Sequence, residues 1–253
     1  MNKKKILALC LIVCLLSVAV VGGTLAYFTD TDAAKNVMTT GKVDIIQIEQ
    51  QRDANGALVD FADNKPLMPM VNNCEANDPV VVDGFFNSKM NNVVDKIVTV
   101  KNEAPAGAIN QNTYVRTILA FETNTEYEAN TTNVLRDGKE IFRTYIGTLG
   151  SFTLLDRDTV VVNGVEYVVA VKVYEKALAP QEVSTPSLKQ IFLSPDANNE
   201  VATLFGDDYT ILALSQATQT AGFATAEEAL NKAFGNLETM DEATLIEWLE
   251  ACA

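Results

Sequence analysis

Three acidic pairs, Asp30 with Asp32, Asp156 with Asp158 and Asp207 with Asp208, come nearest in this sequence to side chains spaced for chemistry. Neighbouring carboxylates can offer hard oxygen ligands to calcium, but none of these pairs sits in a loop of spaced Asp or Asn residues with a central Gly and a closing Glu. Each reads as a turn or a cap, so no metal or other cofactor is expected. Catalysis has less to work with. The chain contains no histidine, which removes a histidine-containing zinc site, a Ser/His/Asp triad and a Cys/His dyad together. No Gly-x-Ser-x-Gly elbow occurs. A Ser/Lys dyad or an aspartic pair stays open on composition alone, yet no catalytic residue is nominated and the expectation is a protein that is not an enzyme. One further pair is notable. In Tyr114-Val115-Arg116 the first and third side chains share a face of a strand. They could form an exposed binding pair, but a cross-strand contact of Arg116 with an acidic neighbour is the better expectation.

Charge narrows the partners. The chain carries 19 basic and 33 acidic residues, a formal charge of −14. Lys3, Lys4 and Lys5 precede Ile6 to Val21, a run of 16 residues without a charge, and then Gly22-Gly23-Thr24-Leu25-Ala26. This is the pattern of a secretory signal peptide over residues 1–26, with cleavage between Ala26 and Tyr27 and a cut after Gly23 as the alternative. The run is shorter than the roughly 20 residues of a bilayer-spanning helix, so contact with the membrane is expected only through the uncleaved signal peptide. Val13 before Cys14 and Leu9 before Cys10 do not suit lipidation. Loss of the three lysines and no acid takes the charge from −14 to −17. Nucleic acid is therefore an unsuitable partner. Self-association would be opposed by like charge and favoured by salt, divalent cations or acid. Export also leaves Cys74 and Cys252 as a candidate disulfide, with reduced thiols or a crosslink between chains as alternatives.

The elements that must position these residues are strands. Gly41 to Ile48, Asp95 to Asn102, Tyr114 to Glu122, Ser151 to Leu155, Leu188 to Leu193 and Tyr209 to Gln219 are rich in β-branched and alternating residues. Thr159 to Val162 and Val165 to Val173 flank Asn163-Gly164, the strongest hairpin signal, because both turn residues tolerate positive φ. Asp137-Gly138 and Asp53 to Gly56 are further turn candidates. About eight strands without alternating helices predict an all-β fold, a two-layer β-sandwich of jelly-roll type over residues 27–219. Residues 50–95, rich in Asn, Asp and Pro, are expected to form an insertion loop. Residues 220–253 change character: Thr225-Ala226-Glu227-Glu228 is a capping box, and Thr239-Met240-Asp241-Glu242 repeats the signal. Two short helices should cap an open end of the sandwich, with Trp248 as a partner anchor in the sharper reading.

The segment Gly22-Gly23-Thr24-Leu25-Ala26-Tyr27-Phe28-Thr29-Asp30, followed by Gly41-Lys42-Val43-Asp44-Ile45, resembles the start of TasA/camelysin family proteins, which carry a SipW-dependent type of signal peptide. Val98 to Asn102, Tyr114 to Arg116 and Ile211 to Gln219 resemble the family more loosely, and residues 50–95 do not. The resemblance implies processing at Ala26 and Tyr27 by a SipW-type signal peptidase. It also implies secretion to an extracellular matrix or cell surface, and self-association or pairing with related matrix subunits. Family members described as proteases use groups that this histidine-free chain lacks. A structural subunit or accessory protein of a matrix or surface fibre is expected, with a ligand-binding adhesin and, less favoured, a camelysin-like protease as alternatives. The candidate assembly segment is Tyr27, Phe28, Val43 and Ile45. Residues 27 to 38 read as a poor strand, since Asp30, Asp32, Ala33 and Ala34 favour a turn.

Overall fold

A computed structural model describes residues 29–33, 36–37, 43–62, 65, 67–69, 81–82, 84–86, 92–106, 108, 111–123, 146–193 and 209–252. Along the chain run β1 (Thr29–Ala33), β2 (Asn36–Val37), β3 (Ile45–Arg52), β4 (Leu58–Asp60), β5 (Val81–Val82), β6 (Phe85–Phe86), β7 (Val94–Asn102), β8 (Thr113–Thr123), β9 (Ile146–Gly150), β10 (Thr153–Leu154), β11 (Val160–Val162), β12 (Val165–Leu178), β13 (Leu188–Leu193) and β14 (Ile211–Gln219). Helices α1 (Ala226–Phe234) and α2 (Glu242–Glu250) follow. The strands form two main antiparallel sheets. One has the order β10-β12-β8-β14-β1-β2 with β11 paired to β12, and the other β4-β3-β7-β13-β9. A separate ladder joins β5 to β6.

The all-β expectation holds, and local chemistry explains much of it. Asn163 and Gly164 adopt φ of 51° and 84°, so Val162 meets Val165 across a two-residue turn. The Asp53 carboxylate accepts from the amides of Asn55 and Ala57, and Gly56 takes φ of 84°, which closes the β3–β4 hairpin. Asp137 and Gly138 lie outside the described residues.

The first sheet is covered on both faces. Towards the second sheet, Val115, Tyr174, Leu178 and Ala217 pack against Val43, Ile45 and Val100. On the opposite face Ile118, Ala120, Tyr167, Val169, Leu212 and Leu214 pack against Leu237, Leu245 and Leu249 from the helical segment. The helices therefore lie on the outer face of a sheet, where an end cap was expected. The reason is the lack of alternation in Ile118 to Phe121 and Ile211 to Leu214, which leaves both faces apolar and in need of cover. Truncation of any one fully buried leucine in such a layer costs about 2–5 kcal/mol. At α1 the Thr225 half of the capping box forms, its Oγ1 accepting from the Glu228 amide at 3.2 Å, while the Glu228 carboxylate reaches one residue past the N-cap and accepts from the Ala224 amide at 3.2 Å. The second helix starts later than expected. Amides of Thr239 and Met240 donate to Asn236 O, and Asp241 becomes the N-cap.

Residues 50–95 contain more regular structure than a loop. They hold the end of β3, all of β4, β5 and β6, and the start of β7. Phe86 is buried against Val93 and Phe192, the two rings edge to face at 5.7 Å. The first strand is a second departure. Thr29 to Ala33 pair with Thr218 to Leu214 along their whole length. The open edge of β14 supplies a ladder of backbone partners that outweighs the turn preference of Asp and Ala.

Candidate functional site

The residues nominated from sequence form no common site among the described residues. Ala26, Tyr27, Phe28, Cys74, Asp207 and Asp208 lie outside them. Val43 and Ile45, nominated for assembly, are 4% and 3% exposed and hold the two sheets together. With Ile45 in register opposite Asn102 of β7, neither side chain in this fold is presented to a second copy. Cys252 Sγ donates to Trp248 O at 3.4 Å, and both residues pack on the helix-side core. Asp156 and Asp158 stand exposed on a turn. The turn is tied down by its Asp156 amide, which donates to Glu238 Oε2 at 3.0 Å, and by Arg157 Nη1, which donates to Leu237 O at 2.9 Å. No group of three His, Cys, Asp or Glu suited to a metal occurs among the described residues.

Arg116 is the largest surprise among these residues. Expected on a surface beside an acid, it is 2% exposed and meets only neutral acceptors. Its Nε donates to Gln216 Oε1 at 2.7 Å, and Nη1 donates to Asn231 Oδ1 at 3.3 Å and Gly235 O at 3.1 Å. The Phe234 ring centroid lies 5.7 Å from its Cζ. Burial pushes its pKa down to about 10. The outer helix layer turned a position on the outer face of the central strand β8 into an interior one, which a strand pattern cannot reveal.

A candidate functional geometry lies at one edge of the helix-covered sheet. β12 has 14 residues, but β11 and β10 pair with it only up to Val171. The Leu155 amide donates to Val169 O, which fixes the alternation along the regular ladder that runs to Tyr174: Val169, Val171 and Val173 direct their backbone groups away from β8. Val173 therefore presents backbone N–H and C=O groups that no described strand pairs, and beyond Tyr174 the register against β8 shifts. Beside them runs a groove of about 630 Å³, lined by Ser151 to Thr153, by Val171, Lys172, Val173 and Glu175, and by Ala224 to Glu227 at the start of α1. Lys172 Nζ donates to Ser151 Oγ at 2.8 Å and lies 5.8 Å from the Tyr174 ring centroid. Glu175 is exposed.

No family model, no curated protein and no solved structure matches this chain. What the groove can do follows from its geometry. An extended peptide laid along it would extend the sheet through main-chain hydrogen bonds while the pocket walls select its side chains. The sequence pattern ends this strand at Val173, whereas β12 runs on to Leu178, so the overhang past its three-residue neighbour β11 comes from the structure.

Proposed function

We propose that the chain is an exported, non-enzymatic structural subunit or accessory protein of an extracellular matrix or surface fibre, built from a jelly-roll sandwich that associates through its strand edges. The observation that carries this reading is the open edge of β12 and its groove. They lie on the far side of the same sheet from the N-terminal strands β1 and β2. An edge strand of one copy added to the β12 edge of the next would continue that sheet head to tail, and such a heterologous contact propagates. The jelly-roll part is supported by connectivity. From β7 to β14 the longer strands β7, β8, β9, β12, β13 and β14 alternate between the two sheets, and β1 lies beside β14. The TasA/camelysin resemblance supports export, processing between Ala26 and Tyr27, and a matrix or cell-surface location. The large negative charge opposes association until salt, divalent cations or acid reduce it.

Negative-stain electron microscopy tests this with chain unblocked at Tyr27 and with the blocked precursor, each with and without added salt or acid. Filaments are expected only after unblocking. Val173→Pro is the matched variant, since it removes an outward N–H and leaves the ladder to β8 intact. It should abolish filaments while the circular dichroism spectrum is retained. Filaments unaffected by Val173→Pro would exclude this edge. Monomers under every condition would exclude self-polymerisation and favour the second reading, a cell-surface module whose β12 groove takes an extended ligand.

A further inference from the structure

The guanidinium of Arg116 offers two parallel donors on one side, Nε–H and Nη2–H, the fork that a carboxylate normally fills. Gln216 fills half of it. Its Oε1 accepts from Nε at 2.7 Å, while the buried Arg116 Nη2 and the buried Gln216 Nε2 have no hydrogen-bond acceptor among the described residues. The amide cannot be reversed to help, because its NH2 group would then face the Nε–H. Two unpartnered donors thus belong to a single bonded pair, in a region where Arg116 and Gln216 are 2% and 0% exposed. Arg116 forms no ion pair with any described residue, and burial disfavours its charge.

We infer that Arg116 Nη2 and Gln216 Nε2 form an internal binding site for a small monovalent anion of the halide class, held under the C-terminal end of α1. Three features select that ligand. A buried cation surrounded by neutral acceptors calls for negative charge, which water does not supply. One donor from each side chain suits a single-atom acceptor, whereas a carboxylate or phosphate would require a second pair of donors. Full burial excludes bulky anions. The anion also has a structural consequence. Arg116 Nη1 holds Asn231 Oδ1 and Gly235 O, so an anion that fixes the guanidinium fixes the last turn of α1, the helix whose first turn lines the β12 groove. The site is independent of the assembly proposal.

Crystals of the full chain soaked in bromide should give an anomalous difference peak in contact with both Arg116 Nη2 and Gln216 Nε2. A water without anomalous signal in that position would overturn the assignment. In solution, chloride or bromide should raise Tm to a plateau that gluconate at equal ionic strength does not reproduce. Gln216→Glu supplies the missing carboxylate oxygen, so it should raise Tm in gluconate and flatten the halide response. A halide response of unchanged size in Gln216→Glu would place the anion elsewhere and end the proposal. The bromide map on the unmodified chain decides the matter even if that variant folds poorly.

Discussion

Arg52 and Arg116 present the same fork to very different surroundings. Arg52 Nε donates to Asp95 Oδ2 at 2.6 Å and Nη2 to Asp95 Oδ1 at 2.8 Å, so both prongs and the charge are met. Around them Gln190 Nε2 donates to Asp95 Oδ1 and to Phe86 O, and Gln190 Oε1 accepts from the Phe86 amide. Phe85 adds an aromatic face 4.2 Å from the Arg52 Cζ. Arg116 has one prong met, by an amide, and no opposing charge among the described residues. The difference teaches where each arginine serves. The Arg52 network ties β3, β6, β7 and β13 into one unit and is complete without help from outside the chain. The Arg116 network pins a surface helix to its sheet and leaves donors over.

Methionine at each position gives the sharpest contrast. Arg52→Met should cost about 3 kcal/mol in denaturant unfolding, because it strands the carboxylate of Asp95, which is 6% exposed, beside a buried Gln190. In halide-free buffer Arg116→Met should cost only about 1 kcal/mol, because it orphans neutral acceptors while removing a buried charge. Equal losses at the two sites would mean that an unrecognised anionic group compensates Arg116 within the chain.

Gln216→Glu should reverse the contrast on a smaller scale, stabilising the fold by about 1 kcal/mol in halide-free buffer. The desolvation of the guanidinium is already present in the parent fold, so the new carboxylate adds a charged hydrogen bond against a partly met cost. Equilibrium unfolding in gluconate checks it. A destabilised variant would show that Arg116 is better solvated than its burial implies.

What sequence revealed follows the same division between local and remote causes. Leu188 to Leu193, the Asn163-Gly164 turn and the Thr225 to Glu228 capping box were legible because residues within a few positions of one another decide them. Arg116 was misread because its partners stand 100 and 115 residues away. Residues 50–95 were misread for a related reason: their polar composition suggested a loop, whereas Arg52 and Phe86 are organised by Asp95 and Gln190 on later strands. The edge of β12 was legible only in part: its start at Val165 follows from the Asn163-Gly164 turn, but the pattern ends it at Val173 where the strand runs to Leu178, and a missing neighbour leaves no mark in the pattern. The strand β1 shows the limit most clearly, a segment of weak propensity recruited by the backbone of β14.

A third charge, fully in solvent, sharpens the comparison by isolating position from burial. Asp241 caps α2, accepting from the Thr244 hydroxyl at 2.7 Å and the Thr244 amide at 2.9 Å. The Thr244 side chain and then its amide hold the carboxyl below the ordinary aspartate pKa. A depressed carboxyl pKa means that the unfolded chain binds the proton more readily than the folded one. The contribution of this cap is therefore complete above the ordinary aspartate range and disappears as pH falls through the lower folded value. Asp241→Asn keeps a side-chain oxygen at the N-cap and removes the titration. Its Tm should lie close to the parent at neutral pH and fall less steeply than the parent below about pH 4, the ordinary aspartate range. Parallel Tm curves for the two proteins across that range would show that the acid sensitivity of this region resides in groups other than the cap.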